Sequence, residues 1–409
     1  MKVVYMTREY PPHVYGGAGV HVEHLARQMA RLAEVEVRCF GDQSDGSGNP
    51  AVRGFPFGKG PFEANPQKVR QALMALEACM RFNADPVVAD VVHCHTWYAL
   101  WGGILAKLCY GIPSVCTVHS LEPLRPWKRE QLGRGYDLSS WVEKTALEMA
   151  DAVIAVSRSD REQILRLFTV DPGKVHVIPN GIDPDRYKPV ESDMALRKYS
   201  VDPTRPYVLF LGRITRQKGI RHFVDAIPFL DCAVQAVLCA SAPDTQELAR
   251  EIEDAVAAAR QTRDHIVWVR ETVSRQEAVE LYSHAAVFCC PSIYEPFGII
   301  NLEAMACETP VVASAVGGIR EVVVPGVTGE LVAFAPVSAH DPSPADPAGF
   351  AQDLARAING LVRDKERGRR MGREGRRRVL DHFGWDRVAE QVYGVYRQVV
   401  GTYGPGEEA

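Results

Sequence analysis

The sequence lacks any apolar run near the ~18 residues that a bilayer-crossing helix needs. It lacks a C-x-x-C pair, so the common zinc and redox-dithiol signatures are absent. It lacks G-x-x-x-x-G-K-[ST], which removes the P-loop nucleotidases. It also lacks a charge excess: Lys plus Arg total 47, Asp plus Glu total 51, and the formal net charge is -4. Duplex binding is driven by clustered basic charge, so no nucleic-acid partner is expected. The N-terminus offers only Val3 to Met6 before Arg8 and Glu9, which reads as a first strand and not a signal peptide.

Cysteine is present but in no metal pattern. Cys289 and Cys290 are adjacent, which is poor geometry for one tetrahedral ion. Cys39, Cys94, Cys116, Cys239, Cys289 and Cys290 lie within or beside short apolar runs. They read as small core residues of a reducing compartment, so a cytoplasmic protein without stable membrane insertion is expected.

What is there suits a large soluble fold. The 409 residues suffice for two or three domains, and 46% hydrophobic with 24% charged residues is ordinary for globular chains. Short β-branched runs alternate with helix-period segments. Strands are expected at Lys2–Thr7, Glu34–Phe40, Asp90–Cys94, Ser114–His119, Asp151–Val156 and Lys174–Ile178, with helices such as Gly19–Leu32 and Gln67–Phe82 between them. The pattern restarts at Tyr207–Arg213 and continues through Ala233–Cys239, His265–Val269, Ala286–Cys290, Pro310–Ser314 and Glu330–Phe334. This alternation predicts two successive α/β domains with doubly wound parallel sheets. The join is expected near Asn180 to Arg205, where Pro184, Pro189, Pro203 and the adjoining Pro206 interrupt any period. A second loop is expected from Pro336 to Ala348.

Three motifs carry chemistry. Gly16-Gly17-Ala18-Gly19 follows strand one and precedes a helix, so its N–H groups suit an anion. It is a poor dinucleotide fingerprint, because Val22 stands where the third glycine belongs. Gly212-Arg213-Ile-Thr-Arg-Gln-Lys218-Gly219 ends the first strand of domain two, where open α/β sheets bind ligands. Arg213 as a planar fork and Lys218 as a point charge suit a diphosphate. Glu295-Pro-Phe-Gly-Ile-Ile-Asn-Leu-Glu303 places one acid before a helix and one a turn inside it, so the pair can serve two parts of one ligand. Glu303 is flanked by Leu302, Ala304, Met305 and Ala306, an apolar setting for a carboxylate.

Smaller features have bland readings beside functional ones. His119 ends an apolar strand and can face a ligand or be structural. His93 and His95, with Thr96-Trp97-Tyr98, can line a sugar site or simply pack. Asp183-Pro184-Asp185 reads as a turn, and no metal site is expected. Arg363–Arg378 holds nine basic and three acidic residues. Without interleaved aromatics it reads as a solvated helix face, with a glucan or membrane-surface role as the other use.

Together these motifs resemble the retaining glycosyltransferases of the GT-B fold, glycosyltransferase family 4. The carriers are Thr7-Arg-Glu-Tyr-Pro-Pro12 with Gly16–Gly19, Val118-His119-Ser120, Pro179-Asn-Gly-Ile-Asp183, Arg213 with Lys218, the Glu295/Glu303 pair, and Val316-Gly-Gly-Ile319. More narrowly, His119-Ser-Leu-Glu-Pro-Leu-Arg-Pro-Trp-Lys128 is similar to actinobacterial ADP-glucose enzymes of glycogen synthesis. Members of that group make α-maltose-1-phosphate from ADP-glucose and glucose-1-phosphate. Arg320 departs from the family, which usually has Pro there, and bears on local geometry.

The resemblance implies two Rossmann-like domains facing across a cleft. Residues 1–183 with a returning helix at 385–409 would take the acceptor, and residues 184–384 the donor. It implies Arg213 and Lys218 on the donor diphosphate, with backbone N–H groups of Gly16, Gly17, Phe297, Gly298 and Ile299 completing the cradle. Glu303 would hold the ribose, Glu295 the transferred glucose, and His119 the region of the anomeric carbon. Thr96, Ser120, Arg125, Lys128 and Arg129 are the acceptor candidates, and Val269–Thr272 is the expected adenine pocket. No cofactor or metal is implied, since cations and a helix dipole take its place. Partners would be ADP-glucose with glucose-1-phosphate or a glycogen-type α-glucan, and a homodimer is left open. The rival readings are a UDP- or GDP-sugar transferase with another small or lipid acceptor, a non-catalytic polysaccharide binder, and an NAD-dependent oxidoreductase or epimerase.

Overall fold

The computed structural model describes residues 1–57, 62, 65–338 and 341–403. It comprises two compact units. One is Met1–Gly181 with the chain from Trp385 onward, and the other is Ile182–Gly384. The division thus falls two residues before the boundary expected after residue 183. The returning helix runs over Trp385–Tyr403; residues 404–409 of the expected span lie outside the described residues, as do 339 and 340 of the expected second loop.

Among the described residues the first unit has an eight-stranded sheet. Its strands are β1 (Lys2–Thr7), β2 (Glu34–Phe40), β3 (Ser44–Asp45), β4 (Ala51–Phe55), β5 (Val91–His95), β6 (Ser114–Val118), β7 (Ala152–Ala155) and β8 (Val175–Val177). The order is β3-β4-β2-β1-β5-β6-β7-β8. Only the β3–β4 edge pair is antiparallel. The chain lays strands to one side of β1 and then to the other, so a switch point lies between β1 and β5. The sequence carried no expectation for β3 and β4. Both are short and lie at the sheet edge, and only Phe55 of the two is buried, so neither shows the apolar run of a central strand.

The second unit repeats the plan with β9 (Tyr207–Arg213), β10 (Gln235–Ser241), β11 (Ile266–Val269), β12 (Val287–Cys290), β13 (Val311–Ser314) and β14 (Gly329–Val332). The order is β11-β10-β9-β12-β13-β14, all parallel. Its switch point lies between β9 and β12. The chain leaves β9 through Arg213 and β12 through Pro291, so both charged motifs start at that switch point.

The helix Trp385–Tyr403 belongs to the first unit because of its apolar stripe. Trp385, Val388, Ala389, Val392, Val395, Tyr396 and Val399 pack with Val22, Leu25, Val35 and Val37. Each fully buried Val or Leu contributes about 1.5–3 kcal/mol. The Tyr396 hydroxyl lies 2.5 Å from His93 Nδ1 and donates to Tyr5 Oη at 3.0 Å. His93 is therefore a packed, hydrogen-bonded core residue, and Trp97 is likewise part of the core.

The stretch 180–205 is not the open linker that its prolines predict. It contains a helix, Met194–Lys198, with Ala195 and Leu196 buried. Glu280 accepts from Ser192 Oγ at 2.9 Å and from the Ala195 N–H at 2.7 Å, tying the segment down. Asp183 Oδ1 accepts from the N–H groups of Asp185 and Arg186, the turn expected there. The basic segment begins at Arg363, the end of the helix Pro347–Arg363, continues in the helix Lys365–His382, and is only half solvated. Arg376 donates to the carbonyls of Ala306 and Tyr187, and Arg378 to those of Glu321 and Val322. Lys365, Arg369, Arg370, Arg373 and Arg377 remain exposed.

Candidate active site

In the second unit the two charged motifs meet. Thr215 caps the turn Arg216–Lys218 by accepting from the Lys218 N–H. That turn aims Lys218 Nζ at Glu295 Oε2, 2.6 Å away. Ser292 Oγ donates to the same oxygen at 3.2 Å. Arg213 Nη2 donates to Asp244 Oδ1 at 2.6 Å. Burial alone would lower Lys218, but the carboxylates of Glu295 and Glu303 outweigh it and hold the amine above its ordinary range. The ammonium is therefore charged at any working pH, as a diphosphate ligand has to be.

Glu303 lies in the helix Ile299–Ala306, which opens at Gly298. Tyr282 Oη donates to its Oε2 at 3.1 Å, and the Tyr187 hydroxyl bonds to it as well. Burial raises its carboxyl, while both tyrosines and Lys218 pull in the opposite direction. The loop that carries Glu295 rests on glycine. Gly317 has φ +47°, and a Cβ there would overlap the Glu295 carbonyl oxygen; a Cβ on Gly318 would overlap that of Pro296. The Val316-Gly-Gly-Ile319 motif is thus the bed on which Glu295, Phe297 and Gly298 lie. Arg320 Nε donates to the Ala315 carbonyl at 2.6 Å, closing the same turn in place of the family's proline.

In the first unit the glycine loop meets a carboxylate of its own chain. Glu9 Oε2 accepts from the N–H groups of Tyr15 at 2.7 Å and Gly16 at 2.8 Å. Gly17 begins the helix Gly17–Met29, two residues earlier than expected. The N–H of Gly16, expected to face a phosphate, is thus bonded within its own unit.

Three histidines gather near the ends of β5 and β6. His95 Nδ1 lies 3.1 Å from His119 Nε2. His21, from the helix Gly17–Met29, stands edge-on to His119 with ring centres 4.7 Å apart. Its Nδ1 lies 2.6 Å from Asn180 Oδ1. Burial lowers all three, His21 to about 4 and the others well below the usual range. All three rings are neutral at pH 7, so His119 offers neutral hydrogen bonding and not charge.

The acceptor candidates separate into two groups. Arg125 Nη1 donates to Ser120 Oγ at 2.9 Å and to Glu122 Oε1 at 3.3 Å. Glu122 is itself buried and accepts from Ser139 Oγ. Arg125 Nε and Thr96 Oγ1 are buried without a hydrogen-bond partner, which suits them to a bound ligand. Thr96 also has φ +62°, uncommon for a non-glycine residue. Lys128 Nζ, in contrast, donates to Gln131, and exposed Arg129 is paired with exposed Asp137. The sequence reading passed over His21, Asp244, Tyr187, Tyr282 and Ser292. Only Ser292, three residues before Glu295, had a local signal.

Two family models together match most of the chain. Residues 15–186 match Glycosyltransferase Family 4, and residues 193–341 match Glycosyl transferases group 1. The chain belongs to glycosyltransferase family 4. Within the family it is 48% identical over 407 residues to an alpha-maltose-1-phosphate synthase of Mycolicibacterium smegmatis, covering 98% of this chain and 100% of the relative. It is 46% identical over 403 residues to the alpha-maltose-1-phosphate synthase of Mycobacterium tuberculosis, at 98% and 100% coverage. Among solved structures, sucrose-phosphate synthase from Thermosynechococcus elongatus matches with a TM-score of 0.79 at 27% identity, covering 98% of this chain and 100% of that one. The two units are accordingly the two Rossmann-like halves of a GT-B glycosyltransferase. Among the described residues, no helix of this family 4 enzyme is long and apolar enough to cross a membrane.

Proposed function

We propose that this glycosyltransferase moves glucose from ADP-glucose to glucose-1-phosphate, forming α-maltose-1-phosphate for α-glucan synthesis. The observation that carries the reading is end-to-end identity of 46–48% to relatives named for that product. The site chemistry supports it. Arg213 and Lys218 would hold the diphosphate, with the N–H groups of Phe297, Gly298 and Ile299 as further donors. Glu303 would take the ribose hydroxyls, Glu295 the hydroxyls of the transferred glucose, and Val269–Thr272 the adenine. Thr96, Ser120 and Arg125 are the groups of the first unit best placed for a phosphorylated acceptor, with Lys128 and Arg129 as outer cations. A cytoplasmic setting suits core cysteines such as Cys289 and Cys290.

In this reading the acceptor O4 attacks C1 of the donor glucose on the face that the leaving group departs. The bond from C1 to the β-phosphate oxygen breaks, and ADP leaves with the electron pair. The O4 proton passes to that phosphate oxygen, so the α-configuration is retained without a protein nucleophile. Lys218 and Arg213 stabilise the charge that develops on ADP, a task worth roughly 10²–10³ in rate for one such group. No metal is required for this role.

The test is ADP release and product mass with ADP-glucose and either glucose-1-phosphate or glycogen. Release that depends on glucose-1-phosphate, with a disaccharide phosphate product, is the expected result. Turnover only with glycogen would make the enzyme a chain-elongating synthase. Silence with both would overturn the substrate assignment.

A further inference from the structure

We propose that His21, His95 and His119 form a binding site for one borderline divalent metal ion of the Zn²⁺ class, and that occupying it reversibly inhibits the enzyme. The three rings come from the helix Gly17–Met29, the end of β5 and the residue after β6. One nitrogen from each lies within 4.8 Å of the others.

The hydrogen bonds prepare the rings as ligands. Asn180 Oδ1 can only accept, so the proton of His21 sits on Nδ1. Its Nε2 therefore carries a lone pair. That nitrogen is buried and has no hydrogen-bond partner, on a residue only 2% exposed. A carbonyl-type oxygen behind the far nitrogen is the support that metal-bound histidines commonly have.

His95 Nδ1 and His119 Nε2 share one proton across 3.1 Å. Two nitrogens of a tetrahedral zinc, at Zn–N of about 2.0–2.1 Å, stand roughly 3.3 Å apart. An ion can thus take the place of the shared proton with little movement of either ring. The ring that gave that proton carries it instead on its far nitrogen, so the exchange is a tautomer shift with no net proton loss. His21 completes the set through its bare Nε2, with its Nδ1–H still held by Asn180. Neutral imidazoles are what a metal needs, and burial keeps all three neutral at pH 7.

The ligand set selects the ion. Three imidazoles without a carboxylate suit Zn²⁺, Co²⁺ or Ni²⁺ and not Mg²⁺ or Ca²⁺, which take oxygen. His119 is the partly exposed member, so it marks the open side and the fourth position. The inhibitory half rests on the role proposed above for His119, while the binding half rests on the cluster alone.

The experiment uses the full chain with Cys109→Ser and Cys232→Ser, since those two thiols are exposed and would compete for metal. Co²⁺ is titrated and read by its visible d–d bands, with Zn²⁺ as competitor and stoichiometry measured directly. One ion per chain is expected, weakened at least about 10-fold by His21→Gln or His95→Gln and unchanged by His13→Asn at an exposed site. Thermal unfolding of the metal-free variants checks that they fold. Asn180→Ala is a milder second variant, expected to weaken binding by about 10–100-fold through lost support of His21. No bound ion, or wild-type affinity in both His21→Gln and Asn180→Ala, would overturn the site. Zn²⁺ should also stop ADP release, and a chelator should restore it. Binding without inhibition would overturn the inhibitory half. An enzyme inactive on ADP-glucose would remove the substrate assignment and leave the binding result standing.

Discussion

The carbonyl oxygen of Glu295 accepts a hydrogen bond of 3.0 Å from the backbone N–H of Gly318. The proposed sugar-binding acid is therefore set by its main chain as well as by Lys218. Gly317 and Gly318 are the residues that let the two loops approach so closely.

Gly317→Ala should strike that contact. The new Cβ would overlap the Glu295 oxygen, and φ +47° is strained for alanine. A shift near 1 Å can cost about 10²-fold in rate. The expected outcome is a fall of that order in kcat, with a lowered Tm. Wild-type kcat in a folded variant would show that the turn does not position Glu295.

Lys218 and Glu295 should act as one unit. Lys218→Met is expected to lower kcat by roughly 10²–10³, as for other preorganised charge stabilisers. Glu295→Gln should also be severe. Because the two touch at 2.6 Å, the double variant should fall little below the worse single one. Strictly additive losses in steady-state kinetics would refute the coupling.

Glu303 places function against stability. Its folded pKa is raised, first by burial, so its favourable contribution is present below the unfolded value near 4.5 and is lost as pH rises through the folded value. Above the unfolded value the buried carboxyl resists losing its proton, so its ionisation there costs folding stability. Glu303→Gln should therefore raise the Tm at pH 8, with the gain shrinking towards pH 4, while donor KM rises. A Tm difference independent of pH would remove the electrostatic explanation. Tyr282→Phe should raise the Glu303 pKa further, because the lost bond had lowered it.

Ser274 and Glu277 form a capping box at the helix Arg275–His284. That helix carries Tyr282 and Glu280. Ser274→Ala should cost about 1 kcal/mol in a denaturant titration. Lys198, then the Ser274 N–H, hold Glu277 down at about 2. This depressed carboxylate supports stability above about 4.5, and the support fades as pH falls towards 2. Stability of the wild type that stays flat across that window would contradict the assignment.

The central strands were legible because parallel strands covered on both faces read as continuous apolar runs. Val3–Met6 and Val287–Cys290 are such cases, with every residue buried. The charged motifs were legible for a related reason: they follow those runs directly, and a strand's C-terminal end is where such sheets bind ligands. The edge strands β3 and β4 left no comparable signal. The prolines of residues 180–205 misled in the other direction, since they interrupt period without preventing packing.

The sequence by itself determined the sheet class, the two-unit plan, and the residue types at the strand ends. Local pattern records burial and backbone preference, and those are properties of neighbours along the chain. Only the tertiary structure decided which groups became partners. Lys218 meets Glu295 across 77 positions, and His21 meets Asn180 across 159. Strand order brings these side chains together, and hydrogen bonds acting over about 3 Å then select between them.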